Sequence, residues 1–233
     1  MDDRIIGIVA ESLPQILLAG LRYTVPLTLV TFAIGLAIAV LVAVARTWKT
    51  DSTSIGKGIS QALSVLCRGY VWVFRGTPLM VQLFIAFFGL PHVGIRWDAI
   101  VCAVVVLSLN VGAYASETVR GAMEALPTGQ YEAALSIGMS HGQAIRLVIL
   151  PQAMRASVPA LSNTLISLVK DTSLVASITV AEMLLTTQRI VAVTYEPLVL
   201  YIEVALVYLA ICTALSKVQQ VLETRANTGG KQA

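Results

Sequence analysis

Hydrophobic and polar positions along this chain sort into long apolar segments separated by short polar interruptions, and the segment lengths limit what each can become. From Tyr23 to Ala45 there is no charged residue. A helix that crosses the hydrocarbon core of a bilayer needs about 20 apolar residues, so this stretch predicts a first span. Pro26 near its start and Gly35 within it are tolerated in such a helix. Ahead of it, Ile5, Ile8, Val9, Ser12, Leu13 and Ile16 recur at helical spacing. That mostly apolar stripe predicts a short helix over residues 1–22, lying along the membrane interface. Two Asp precede Arg4 and no small-residue cleavage pattern follows, so the segment reads as part of the mature chain rather than a secretory signal.

After the first span, Arg46, Lys49 and Lys57 surround the run TDSTSIGKG, which reads as a polar loop. Residues Ile59 to Pro91 are apolar but interrupted by Arg68, Arg75 and the sequence Gly76-Thr77-Pro78. Thr77 as a cap and Pro78 at the first helical position can restart a helix after a break. The piece that follows, PLMVQLFIAFFGL, is too short to span alone. Two arrangements are open: one broken span, or an interfacial helix joined to a span by a tight corner. The loop PHVGIRWD then leads to a third span, Ala99 to Ser116. Asn110, Tyr114 and Glu117 are spaced four and three apart and share a face. Lipid offers such a stripe no partner, so it should face protein or a wet path. A fourth span over Val158 to Leu185 carries Asn163, Ser167, Lys170, Asp171, Thr172 and Ser173. A fifth, Pro197 to Ser216, carries Glu203, and the final ANTGGKQA reads as disordered. The expected fold is an all-α integral membrane protein with five transmembrane helices: an interfacial segment 1–22, a membrane domain 23–217 and a tail 218–233.

The third and fourth spans are joined by TGQYEAALSIGMSHGQAIRLVILP, residues 128–151, which predicts a hairpin of two short helices. Thr128 can cap the first by accepting a hydrogen bond from an unpaired N–H. Gly138 can end it, since glycine enters the left-handed conformation without steric cost. Ser140 with Gln143 matches a capping box that opens a second helix, and Pro151 should stop it. Tyr131, Ala134 and Leu135 fall on one face of the first helix, and Ala144, Leu147 and Val148 on one face of the second. Spacing alone fits a loop lying on lipid headgroups as well as a protein-docking hairpin.

Composition agrees with a membrane protein. The chain is 57% hydrophobic and 12% charged, against about 25% charged in a soluble domain, and its mean hydropathy is +0.81. Its 233 residues leave no room for a large soluble domain beside several spans. With five spans, the hairpin side holds eleven Lys and Arg and the opposite side four, with Lys170 in the membrane. By the positive-inside rule the hairpin and the C-terminus are cytoplasmic and the N-terminus is outside. The net charge of +3 gives no reason to expect a nucleic-acid partner. Cys67, Cys102 and Cys212 stand apart in apolar surroundings, and His92 and His141 lack companion ligands, so no metal site is expected. There is no phosphate-binding loop, HExxH pair or nucleophile elbow, hence no catalytic residue and no ATP hydrolysis by this chain.

Three ionisable residues need an explanation. Lys170 and Asp171 each cost about 2.5–3.5 kcal/mol near the bilayer centre on insertion scales. Adjacent residues point about 100° apart on a helix, so each needs a partner on another helix or a wet cavity. An interhelical polar cluster and contact with a substrate are both open. Glu203, about 10 Å into its helix by helical rise, either faces a permeation path and accepts a cationic amine or pairs with Lys170. Glu117 and Glu124 flank the hairpin, where solvation is the ordinary reading.

The order Glu132, Ala133, Ala134, Gly138, Leu150, Pro151 resembles the EAA loop of ATP-binding-cassette importer permeases, E-A-A-x3-G-x9-I-x-L-P, with Val148 where the pattern has Ile. The stretches FRGTPLMVQLF (74–84), SLNVGAYASETVRGAM (108–123) and SNTLISLVKDTSLVASITVAEM (162–183) are similar to the polar amino-acid branch of these permeases, nearest the cystine type, then the glutamine, histidine and arginine types. The resemblance runs from about Tyr23 to Ser216. It implies a type I importer permease fold in a bacterial inner membrane and a dimer with a second permease subunit, identical or different. It also implies two cytoplasmic ATPase subunits that carry ATP and Mg, and a periplasmic amino-acid-binding protein; this chain itself would bind no cofactor. On the same resemblance, Glu132 contacts the ATPase surface, Ala133 and Ala134 allow close approach, Gly138 makes the turn, and Leu150 and Pro151 close the motif. Candidates for the substrate path are Asn110, Tyr114, Glu117, Asn163, Ser167, Lys170, Asp171 and Glu203. The rival readings are an ion-coupled secondary carrier, which commonly shows inverted repeats not seen here, and a non-catalytic membrane scaffold, which has no use for Lys170, Asp171 and Glu203.

Overall fold

A computed structural model describes residues 3–47 and 54–228, and every regular element among them is helical. Lys49, most of the expected TDSTS loop and Lys231 lie outside the described residues. By length and composition, three helices are long and apolar enough to cross a membrane, or up to five if each of two bent pairs counts as one span. The first is longer than its pattern suggests. Helix α1 (Asp3–Ala19) passes through a π turn at Gly20–Thr24 directly into α2 (Val25–Thr47), a continuous run of 45 residues. No corner separates an interfacial helix from a span. The stripe predicted for α1 is real, with Ser12 and Ile16 buried, but protein covers it; Leu13, by contrast, is exposed.

The other helices also outlast their predicted ends. The stretch SIGKG, expected in a loop, opens α3 (Ser54–Gly76). The chain then breaks at Thr77–Pro78, where the Thr77 hydroxyl donates to Val73 O at 2.8 Å. Helix α4 (Leu79–Phe84) follows, continuing through a π turn (Ile85–Gly89) and a 3-10 turn (Leu90–Val93). Helix α5 (Ala99–Glu124) extends two turns past Ser116. After the hairpin, α8 (Leu150–Asp171) gives way to a 3-10 segment at Thr172–Ile178, and α9 (Met183–Thr194) restarts after Glu182. The expected fourth span is therefore broken, with Thr179 in the left-handed region at φ 73°. Helix α10 (Pro197–Thr228) runs past Ser216 and takes in the start of the tail expected to be disordered.

The described chain forms two compact units. The first combines the residues through Phe32 with Leu79–Leu107 and Leu165–Val218. In it α1 packs along α9. Ile16, Met183, Val204 and Val207 form a buried cluster edged by Ile190, Tyr208 and Ile211. Lipid tails are as apolar as these side chains, so such contacts gain stability through close packing, and small residues make it possible. Gly20 is one of them: a Cβ there would sit 2.8 Å from Met183 Sδ. The second unit, Ala33–Pro78, Ser108–Thr164 and Gln219 onward, contains α3, the later part of α5, the hairpin and the first half of α8. Its α3 presents a large apolar face without cover, with Trp72 78% and Leu66 70% exposed, as a surface meeting lipid or another chain would be.

Candidate functional site

The hairpin is built as its local residues require, with three adjustments. Its first helix is α6 (Thr128–Ser136), capped by Pro127, so Thr128 is the first helical residue and not the cap. Pro127 has an extended ψ of 131°, and its carbonyl already accepts from Gln130 N–H at 3.1 Å. Gly138, at φ 85°, ends the helix: its N–H donates to Leu135 O and Met139 N–H to Ala134 O, at 2.9 and 3.2 Å. These two bonds satisfy the last carbonyls in the Schellman arrangement. Ser140 then forms the predicted capping box: Gln143 N–H donates to Ser140 Oγ at 3.3 Å, and Ser140 N–H to Gln143 Oε1 at 2.9 Å.

Pro151 does not end the second helix. Helix α7 (His141–Gln143) enters a π turn at Ala144–Ile149 and continues straight into α8. A proline inside an α-helix leaves a carbonyl unpaired and crowds the preceding turn, and a wider turn just before it relieves both. The same turn shifts the inward face. Ala144, Ile145 and Ile149 are buried, whereas Leu147, predicted on the apolar stripe, is 60% exposed.

The two arms are tied together by Tyr131, whose hydroxyl hydrogen-bonds His141 Nδ1 while the rings stack at 5.7 Å, and by Gln152 Nε2 donating to Gln130 Oε1 at 3.3 Å. Ala134 packs inside the hairpin, so its small size lets the two arms approach each other. Glu132, Ala133 and Ile137 are exposed on the outer face, Leu150 is half-buried and Pro151 exposed.

Next to the hairpin in the same unit, Asn110 and Glu117 of the polar stripe on α5 meet protein, while Tyr114 is 46% exposed. Asn110 Nδ2 donates to Phe74 O at 3.4 Å, and Arg75 lies over the Tyr114 ring at 5.3 Å. Glu117 is half-buried and paired rather than left to solvent. It receives a hydrogen bond from Arg46 of α2 and another from Arg120 one turn along, at 2.8 Å, with Arg75 of α3 at 4.0 Å. Arg120 also reaches Glu124 at 2.5 Å. One carboxylate thus joins three helices at the end of the bundle that holds the hairpin, and charge-assisted bonds of this kind are the stronger class. Sequence reasoning missed the three arginines as its partners; the signal was a lone acid in a segment flanked by cations. Beside them opens a cavity of about 840 Å³, with Arg68 on its α3 wall and Thr128, Tyr131 and Glu132 on its α6 wall.

The remaining candidates do not converge. Asn163, Ser167 and Lys170 are exposed along α8, Asp171 is half-buried, and Asn163 Oδ1 accepts from Gln219 Nε2 at 3.2 Å. Neither Lys170 nor Asp171 has a salt-bridge partner among the described residues. Glu203 does not pair with Lys170. It is 7% exposed, and its Oε2 accepts from Ser12 Oγ at 2.6 Å, while Oε1 is buried without a hydrogen-bond partner among the described residues. Glu182, not singled out from the sequence, is fully buried; it caps α9 through Leu185 N–H at 2.9 Å and accepts from the Tyr208 hydroxyl at 2.6 Å. Its signal was an acid in the apolar run ITVAEMLL.

Comparison with known proteins places this arrangement. Residues 53–228 match the family model for the binding-protein-dependent transport system inner membrane component. The chain is 46% identical over 219 residues to the L-cystine transport system permease protein TcyB of Bacillus subtilis strain 168, covering 94% of this chain and 89% of that one. It is 36% identical to the glutamine transport system permease protein GlnP of Escherichia coli K12, covering 90% and 92%. A crystal structure of an amino acid ABC transporter with histidines contains a chain that superposes with a TM-score of 0.83 at 32% identity, covering 97% of this chain and all of that one. With its hairpin, all-helical fold and apolar spans, the chain belongs to the inner membrane component family of binding-protein-dependent transport systems, as an amino-acid ABC importer permease, a non-enzymatic subunit whose ATPase is a separate polypeptide.

Proposed function

We propose that this permease carries L-cystine or a closely related polar amino acid across a bacterial inner membrane, and that the hairpin is the element through which ATP hydrolysis drives it. The observation that carries the coupling reading is the exposed outer face of α6, Glu132 and Ala133 beside the Gly138 turn, on a hairpin braced by its own hydrogen bonds. A charged residue next to a small one on a rigid protrusion suits insertion into a groove of a cytoplasmic ATPase. Two such ATPases, which would hold ATP and Mg, a second permease subunit and a periplasmic binding protein complete the proposed assembly, with five spans, the N-terminus outside and the C-terminus inside. The cystine assignment rests on the likeness to TcyB.

In the proposed cycle ATP binding closes the ATPase pair and draws the hairpins together. Each hairpin continues into α8 through Pro151, and 22 residues at 1.5 Å rise make that helix about 33 Å long. Motion of the hairpin is then felt along α8, where exposed Asn163, Ser167 and Lys170, with Asp171, line the path. The bundle rocks between inward-open and outward-open states. Reconstituting the chain with candidate binding proteins and the ATPase, and asking which amino acid stimulates ATP turnover, tests this. L-cystine is expected to do so through its binding protein; failure of every polar amino acid tried would overturn the reading.

A further inference from the structure

The cavity beside the hairpin lies within the second unit, between α3 and the start of α6. Four charged residues reach it, and two are already neutralised: Arg46 by Glu117, and Glu124 by Arg120. The other two, Arg68 on the α3 wall and Glu132 on the α6 wall, have no salt-bridge partner among the described residues. Gln61 and Ser64 lie within one or two turns of Arg68 on α3, and Thr128 lies one turn before Glu132 on α6, so each charge has a neutral hydrogen-bonding neighbour on its own wall. Ile145 and Ile149 supply an apolar part of the lining. A cavity of about 840 Å³ is within the range of small-molecule sites. One cation, one anion, amide and hydroxyl groups and an apolar patch complement a zwitterionic amino acid: a carboxylate for Arg68, an ammonium for Glu132 and the uncharged chain between the charged ends for the isoleucines.

We propose that this cavity is a release-side binding site for the transported amino acid, distinct from the residues of the substrate path and sharing Glu132 with the ATPase contact. The inference rests on the proposed function for the identity of the amino acid and for the placement of the hairpin in the cytoplasm. Because Glu132 would serve both the ligand and the ATPase, occupancy loosens the coupling contact, and accumulated product slows the transporter.

The test uses the full transporter, with its ATPase and binding protein, in proteoliposomes carrying ATP in the lumen. ATP turnover is driven from outside by binding protein loaded with L-cystine, with and without L-cystine in the lumen. Luminal L-cystine is expected to slow turnover of the wild type. Arg68→Gln, with turnover scaled to its own value without luminal amino acid, is expected to need about tenfold more of it for the same fractional slowing, the loss of one charge-assisted hydrogen bond. Arg68→Lys is expected to recover part of the sensitivity. Equal sensitivity in Arg68→Gln, or no slowing of the wild type, overturns the proposal, as does a phospholipid that copurifies with the wild type and is lost from Arg68→Gln, which would put a headgroup in the cavity. If external L-cystine fails to drive the wild type at all, the functional reading falls instead.

Discussion

Neutralising Glu117 should cost more than any other single charge change in the second unit, because one carboxylate balances Arg46, Arg75 and Arg120. Its side chain and that of Arg46 are only 19% and 16% exposed, while Arg75 is 44% exposed and 4.0 Å away. Removing one partner of a fully buried ion pair costs about 3–5 kcal/mol. Partial exposure and the looser third contact bring Glu117→Gln to roughly 2–3 kcal/mol, since surface pairs contribute little. For a chain of this length a kilocalorie shifts Tm by about 2–4 °C, so the melting point should fall by roughly 5–10 °C. Thermal unfolding of the detergent-solubilised protein, followed by intrinsic fluorescence, reads this. Glu124→Gln is the control: its carboxyl is 60% exposed and pairs with Arg120 on the same helix, so a change of about 0.3–0.5 kcal/mol is expected. A double-mutant cycle with Arg46→Gln should give a coupling energy of about 1–3 kcal/mol, because the residues touch. If Glu117→Gln melted within about 2 °C of the wild type, or the cycle showed no coupling, the cluster would not be the joint described here.

Two further variants probe the hairpin and the first unit. Among the described residues nothing lies within 4 Å of a Cβ built on Gly138, yet its φ is 85°, so substitution strains the backbone rather than clashing, by about 1–2 kcal/mol; Gly138→Arg should yield an inserted protein to which the partner ATPase no longer couples uptake, and normal uptake would contradict the coupling role. Glu203→Gln keeps an oxygen for Ser12 and the volume of the buried side chain, so uptake affinity should stay within about twofold, as for a packing contact; a tenfold loss would move Glu203 into the substrate path.

The parts of the hairpin that were legible in the sequence are those decided by neighbours a few residues away. Gly138 and the Ser140–Gln143 box sit where predicted, because a left-handed turn and a capping box each depend on one or two local side chains. The reading of Thr128 as the cap fails because Pro127, with fixed φ and a carbonyl that accepts from Gln130 N–H, takes the cap position first. The π turns at Gly20–Thr24, Ile85–Gly89 and Ala144–Ile149 had no residue signature to give them away. They reversed two expectations, the corner after residue 22 and the stop at Pro151. The spacing of Asn110, Tyr114 and Glu117 puts them on one face, for protein or a wet path. Their partners Phe74, Arg75 and Arg46 lie 36 to 71 positions away or on another helix, and only the fold brings them there. For Lys170 and Asp171 the sequence asks for partners on another helix or a wet cavity, and no salt bridge answers among the described residues.

The wide turn ahead of Pro151 also fixes the rotational phase of everything after it. Each residue of an α-helix advances the chain by about 100°, so tightening Ala144–Ile149 from its i→i+5 bonding to ordinary i→i+4 turns, with no residue removed, would rotate α8 by about that amount. Val169, now buried, would take the angular position held by Lys170, and exposed Ser167 that of buried Leu168. The wide turn is thus a phase setting for the helix that follows, and tightening it would alter which side chains the membrane domain displays while every motif residue remained present.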